Sequence, residues 1–237
     1  MERKRGIKMR FQDLIKLYEE KKHKYGVEAY KSVSKLLREA KELHKKDWLL
    51  HPTANNDHEQ SWRAFKGKNL EKLIMYIIKD EVNSLGLKIA EGIKLERTSN
   101  ERLSEELSTI KRKILVDYGV FGCHLPDVDM VIYEPKELKV IAVISSKVTL
   151  RERIAQTGYW KLKLMQDEVT KNIHVFFITP YEDGTLTKRS PTKKGRAIVE
   201  VDTDGSYVMS EVDVEESEKV KMFDKFINDL KVLITAR

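Results

Sequence analysis

The sequence predicts an α/β fold: a mixed β-sheet flanked by helices, with an N-terminal helical subdomain over residues 1–56 and a core over residues 57–237. Three observations carry this. Residues 128–133 and 138–145 are nearly continuous apolar runs joined by Glu134-Pro135-Lys136-Glu137, the pattern of adjacent central strands covered on both faces. Apolar residues recur at helical spacing before and after them. The segment His51-Pro52-Thr53-Ala54-Asn55-Asn56-Asp57 is polar and rich in breakers, so it separates the first helices from the rest.

Residues 8–24 place Phe11, Leu14, Ile15, Leu17 and Tyr18 on one helical side, and Gly26 ends that helix. Residues 27–48 repeat the pattern with Tyr30, Val33, Leu36, Leu37 and Leu43. A longer helix starts at Asp57 or Ser61 and runs to Ser84, with Trp62, Phe65, Leu70, Leu73, Ile74, Ile77 and Ile78 inward. Gly86 stops it, and residues 87–93 read as a short strand. Thr98-Ser99-Asn100-Glu101 has the form of a helix start, continued by Leu103, Leu107 and Ile110 to about residue 116. Beyond the two central strands, residues 149–169 read as a helix on the sheet, capped by Thr149. Residues 172–179 read as another buried strand. A basic loop over 188–196 follows, then short strands at 197–201 and 207–209 around an Asp204-Gly205 turn. Residues 215–233 close the chain as a helix with Val220, Phe223, Phe226, Ile227 and Leu230 inward.

A net charge of +7 suits a polyanionic partner, either nucleic acid or an acidic membrane surface. Cys123 is the single cysteine, which excludes an internal disulfide and suits a cytoplasmic setting. No Cys/His cluster has zinc spacing, and no apolar run approaches the ~20 residues of a membrane helix. Met1-Glu2-Arg3-Lys4-Arg5 is not followed by an apolar signal core.

Chemistry concentrates at Pro126-Asp127-Val128-Asp129 and Ser145-Ser146-Lys147. If the two strands form a hairpin, the start of the first lies beside the end of the second, and Asp129 and Lys147 become neighbours. A carboxylate can then hold a divalent cation while the ammonium offsets charge on a phosphodiester. The plainer reading makes Lys147 the point where the strand meets water. Glu71, one turn after Gly67, lies at the edge of an apolar helix face. It is either a third site group or a solvated glutamate, and Gly67 is either a place of close backbone approach or a tolerated glycine.

Taken together, Gly67-x-x-Leu70-Glu71, Asp129 on a strand and Ser145-x-Lys147 resemble the core of the PD-(D/E)XK nucleases. The string Ser145-x-Lys147-x-Thr149-x-Arg151-Glu152-Arg153 is similar to that of type II restriction endonucleases of the BsaWI type. The resemblance covers about residues 60–180. It implies a restriction-endonuclease-like core that uses Mg²⁺ to hydrolyse both strands of double-stranded DNA at a short palindromic site, leaving 5′-phosphates. It also implies a homodimer, and a cognate DNA methyltransferase that is not a stable partner. Asp129 becomes the metal aspartate with Asp127 as its rival, Lys147 the motif lysine, and Glu71 the completing carboxylate with Glu152 as fallback. The Ser146 carbonyl becomes a further metal ligand. Ser145 occupies a catalytic motif position where many members carry an acid, which makes Glu71 more necessary.

The same resemblance puts DNA contacts at Thr149, Arg151, Arg153 and Gln156. Arginine suits guanine edges and phosphates, and the competing reading pairs these arginines with surface acids. Lys188, Arg189, Lys193, Lys194 and Arg196 form a basic stretch suited to phosphate contact, or else a solvated loop. Arg3, Lys4, Arg5, Lys8 and Arg10 read as a phosphate-binding arm or a plain tail, and His51 and His58 receive no role. Two other functions remain open: a structure-selective repair or junction nuclease of the same fold, and a DNA-binding protein that does not cut.

Overall fold

The computed structural model describes residues 9–50, 57–147, 151–180 and 184–235, with residues 151–153 described by their backbone alone. In chain order the elements are α1 (Phe11–Tyr25), α2 (Val33–Leu50), α3 (His58–Ser84), β1 (Lys88–Glu91), α4 (Gly92–Arg97), α5 (Glu105–Arg112), β2 (Val116–Asp117), β3 (Cys123–His124), β4 (Met130–Glu134), β5 (Lys139–Ser146), α6 (Arg151–Leu164), β6 (His174–Thr179), α7 (Lys194–Asp202), β7 (Gly205–Val208), β8 (Val220–Met222) and α8 (Phe226–Thr235). Strands β1-β4-β5-β6-β7-β8 form one six-stranded sheet, and β2 and β3 pair separately. β1, β4 and β5 run antiparallel, while β5, β6, β7 and β8 run parallel, so the sheet is mixed. No helix among the described residues is long and apolar enough to cross a membrane.

The apolar strands sort their side chains by alternation. Met130 and Ile132 of β4 join a core with α1, α2, α3 and α8. Val131 and Tyr133 join the opposite core with Leu95, Ile110 and Leu164. That makes three layers, with β4 and β5 buried on both faces. Leu14, Leu36 and Leu37 of the first two helices share a cluster with Leu73, Ile144 and Phe176. The Asp57 carboxylate caps α3 by accepting Gln60 N at 2.7 Å, which starts the long helix just past the polar segment.

Several boundaries differ from the sequence reading. Residues 26–32 form a 3₁₀ turn, and α2 begins only at Val33. That turn sets Tyr30 against Phe223, ring centres 5.5 Å apart, while Leu43 stays largely exposed. The stretch expected as one helix from Thr98 is a 3₁₀ turn and then α5, because Leu103 is extended and the helix is capped by Ser104, not Thr98. Residues 87–93 are strand only to Glu91, since Gly92 opens α4. Residues 197–201 are helical in α7, not strand, because parallel pairing of β6 and β7 requires a crossover. Residues 215–233 are not one helix: Val220 and Met222 are buried in β8, and α8 begins at Phe226.

Candidate active site

Three side chains distant in sequence meet at one end of the β4–β5 pair. Lys147 directly follows β5, and its Nζ donates to Asp129 Oδ1 at 3.0 Å and to Glu71 Oε1 at 2.9 Å. The second oxygen of Asp129 accepts Ser146 N at 2.5 Å and Ser146 Oγ at 3.3 Å. The backbone fixes Asp129 from both sides: its N–H donates to Ile144 O at 2.9 Å, and its carbonyl accepts Gly92 N at 2.8 Å. Glu71 arrives from the middle of α3, whose Leu70, Leu73 and Ile74 are buried against the sheet. The Asp129 side chain is 8% exposed, while those of Lys147 and Glu71 are 26% and 25% exposed, so the group is held from below and open above.

The electrostatics follow from that packing. Burial, then the charge of Asp129, pushes the Glu71 carboxyl up to about 7, against the pull of Lys147. Burial disfavours the Lys147 ammonium, but Asp129 and Glu71 outweigh it and hold its pKa above the ordinary lysine value. Once Glu71 is ionised two carboxylates share one cation, and the excess negative charge suits a divalent ion. Among the described residues no group of three acids, histidines or cysteines gathers to hold a metal. Glu71, Asp129 and a main-chain carbonyl are nevertheless hard oxygen donors of the kind Mg²⁺ takes alongside several waters.

A cleft of about 380 Å³ opens beside this group, lined by Gly67, Lys68, Glu71, Lys72, Glu91, Arg97 and Asp129 among others. Lys68, Lys72 and Arg97 on helices and Glu91 at the end of β1 have no signal in the sequence, because solvated charges carry no periodicity. Of the two readings of Gly67, the structure favours the tolerated glycine, and the close backbone approach lies at Gly92. A Cβ on Gly67 would meet nothing within 4 Å, whereas one on Gly92 would stand 1.8 Å from Val128 O. An isolated glycine inside a predicted strand was the available signal for Gly92.

Asp127, the rival aspartate, is exposed and accepts Gln156 Nε2 at 2.9 Å, away from the lysine. Ser145 is buried in β5 and pairs in register with Phe177, outside the hydrogen-bonded group. Lys188, Arg189, Lys193 and Lys194 are exposed. Arg196 requires a correction: it is fully buried, donating to Leu186 O at 2.6 Å, Glu215 O at 2.5 Å and Glu200 Oε1 at 3.2 Å, so its guanidinium ties loops together and does not face DNA. Arg3, Lys4, Arg5, Lys8, His51 and Thr149, and the side chains of Arg151, Glu152 and Arg153, lie outside the described residues.

Comparison with known proteins supplies the remaining facts. Residues 106–229 match the family described as BsaWI restriction endonuclease type 2. The chain is 35% identical, over 95% of its length and 95% of the relative's, to a Methanocaldococcus jannaschii protein described as type II restriction enzyme MjaVIP. It is also 35% identical to a Helicobacter pylori protein described as type II restriction enzyme HpyAORF263P, over 56% of this chain and 67% of that one. Its fold is similar to restriction endonuclease AgeI, solved as a DNA complex (TM-score 0.56, 13% identity, 94% of this chain and 91% of that one). It is likewise similar to PspGI, solved with substrate DNA (TM-score 0.53, 14% identity, 97% of each chain).

Proposed function

The chain belongs to the BsaWI family of type II restriction endonucleases, and from that premise we propose that Glu71, Asp129, Lys147 and Ser146 form its hydrolytic centre. The observation that carries this is that Lys147 Nζ lies within 3.0 Å of both Glu71 Oε1 and Asp129 Oδ1. The substrate is double-stranded DNA. The reaction is Mg²⁺-dependent hydrolysis of one phosphodiester in each strand of a short palindromic site, leaving 5′-phosphates.

Glu71, Asp129 and the Ser146 carbonyl would hold the Mg²⁺, which when bound offsets phosphate charge and makes its water more acidic. Lys147 stays an ammonium, since both neighbours hold its proton in place. It therefore acts as a donor: Nζ orients the attacking water and stabilises the charge that develops on the phosphate oxygens. Ser146 N and Oγ fix the Asp129 carboxylate so that its other oxygen faces the lysine and the cleft. One such centre cuts one strand. Two copies related by a two-fold axis address both strands of a palindrome, so the working unit is a homodimer. Lys188, Arg189, Lys193 and Lys194, with Thr149 and with Arg151, Arg153 and Gln156 of α6, supply DNA contacts.

The test is incubation of the purified protein with plasmid DNA and Mg²⁺. Discrete fragments that vanish with EDTA are expected. Cleavage at DNA junctions regardless of sequence would instead favour a structure-selective nuclease, and salt-sensitive binding without cleavage in Mg²⁺ or Mn²⁺ a non-cutting protein.

A further inference from the structure

A second basic groove, of about 610 Å³, lies outside the hydrolytic centre. One wall belongs to α2 and α3 and carries Arg38, Lys41, Arg63 and Lys66. The opposite wall belongs to the segments after β6 and β7, with Thr187 and Ser210. Trp62 is buried at its base. The groove also holds two acids, Glu59 and Glu211. They meet Lys41 at 2.8 Å and Arg38 at 3.6 Å, partly exposed pairs of a kind that is weak and yields to a phosphate.

Its position gives it meaning. β5, β6 and β7 are parallel, so their C-terminal ends lie along one edge of the sheet. Lys147 stands at the end of β5, and the groove wall follows the ends of β6 and β7. α2 is docked on the same edge, because the Ser34 hydroxyl donates to Pro180 O just past β6. On α3, Arg63 at the groove stands eight residues before Glu71, about 12 Å along the helix axis at 1.5 Å per residue. Base pairs advance about 3.4 Å along the duplex axis, so one bound duplex can reach both places.

We propose that this groove, through Arg38, Lys41 and Arg63, binds the phosphodiester backbone of the same duplex beyond the cleaved step, making the N-terminal helices part of the DNA grip. This rests on the endonuclease reading. The groove is built for a backbone and not for base edges: its cations are long side chains on the outer faces of two helices, with hydroxyls opposite. It therefore adds affinity without sequence preference.

The experiment uses the full chain and its R38Q/R63Q variant, with R38K/R63K as the charge-preserving control. Binding is measured against salt on a duplex of about 40 base pairs, and each neutralised phosphate contact contributes about 0.9 to the slope of log affinity against log salt. The expected result is a slope lower by about two per bound protomer, and so by about four for the homodimer, in R38Q/R63Q, and unchanged in R38K/R63K. A wild-type slope in R38Q/R63Q overturns the proposal. So does a wild-type slope accompanied by lost binding of polyglutamate, which would assign the groove to an acidic polypeptide. The slope is read from binding, so it decides the groove whether or not the enzyme cuts. A wild-type protein that binds but never cuts counts against the endonuclease reading alone.

Discussion

At the residue scale, two carboxylates and one ammonium compete in a half-buried space. Glu71 binds its proton more tightly in the folded protein than in the unfolded chain, because its pKa is raised from 4.5 to about 7. A raised carboxylate pKa gives stability that is present at low pH and is lost as pH climbs between those two values. In the presence of chelator, wild type should therefore lose melting temperature relative to Glu71→Gln between about pH 5 and pH 8. Added Mg²⁺ should raise wild type and not the variant. Thermal melts at the two pH values check this, and a gap that does not change with pH would refute it. Arg196 makes a separate prediction. Its side chain satisfies Leu186 O and Glu215 O from a fully buried position. Arg196→Ala strands those carbonyls and should cost about 3 kcal/mol in denaturant unfolding.

At the element scale, β4 and β5 were legible because everything they need is local: two apolar runs, a tight connection, and a charge at each relevant end. Asp129 and Lys147 came with them. Helix periodicity marks Glu71 only as a candidate at the edge of an apolar face; the family resemblance assigns it to the site, because it meets Lys147 across 76 residues. Residues 197–201 read as strand because Ile198, Val199 and Val201 are β-branched. Their helix, α7, is imposed by the crossover between parallel β6 and β7, and it leaves Val201 exposed. β8 has three residues, too few for a periodic signal. The two glycines separate local from tertiary constraint. Gly67→Ala fills open space on a helix and should raise stability by up to about 1 kcal/mol. Gly92→Ala drives a methyl into Val128 O beside the Asp129 backbone. It should destabilise by about 2 kcal/mol or more and slow cleavage. Chemical denaturation of both variants decides which glycine is the tight one.

At the scale of the whole molecule, the sheet sorts the chain's work. Its antiparallel half, β1, β4 and β5, holds the carboxylate and the lysine. Its parallel half sends the ends of β6 and β7 toward the basic groove. α3 crosses between them, with Arg63 at the groove and Glu71 beside Asp129 and Lys147 at the proposed hydrolytic centre. The N-terminal helices pack into the same apolar cluster as the sheet, so movement of α3 would be felt at Glu71. Single-turnover cleavage by wild type, Glu71→Ala, Asp129→Ala and Lys147→Ala, each saturated with DNA, asks most directly whether these groups act as one centre. Each single change should lower the rate by about 100-fold or more, and combining two should add little, as for groups that function as a unit. Full wild-type rate in any one of the three would contradict the assignment.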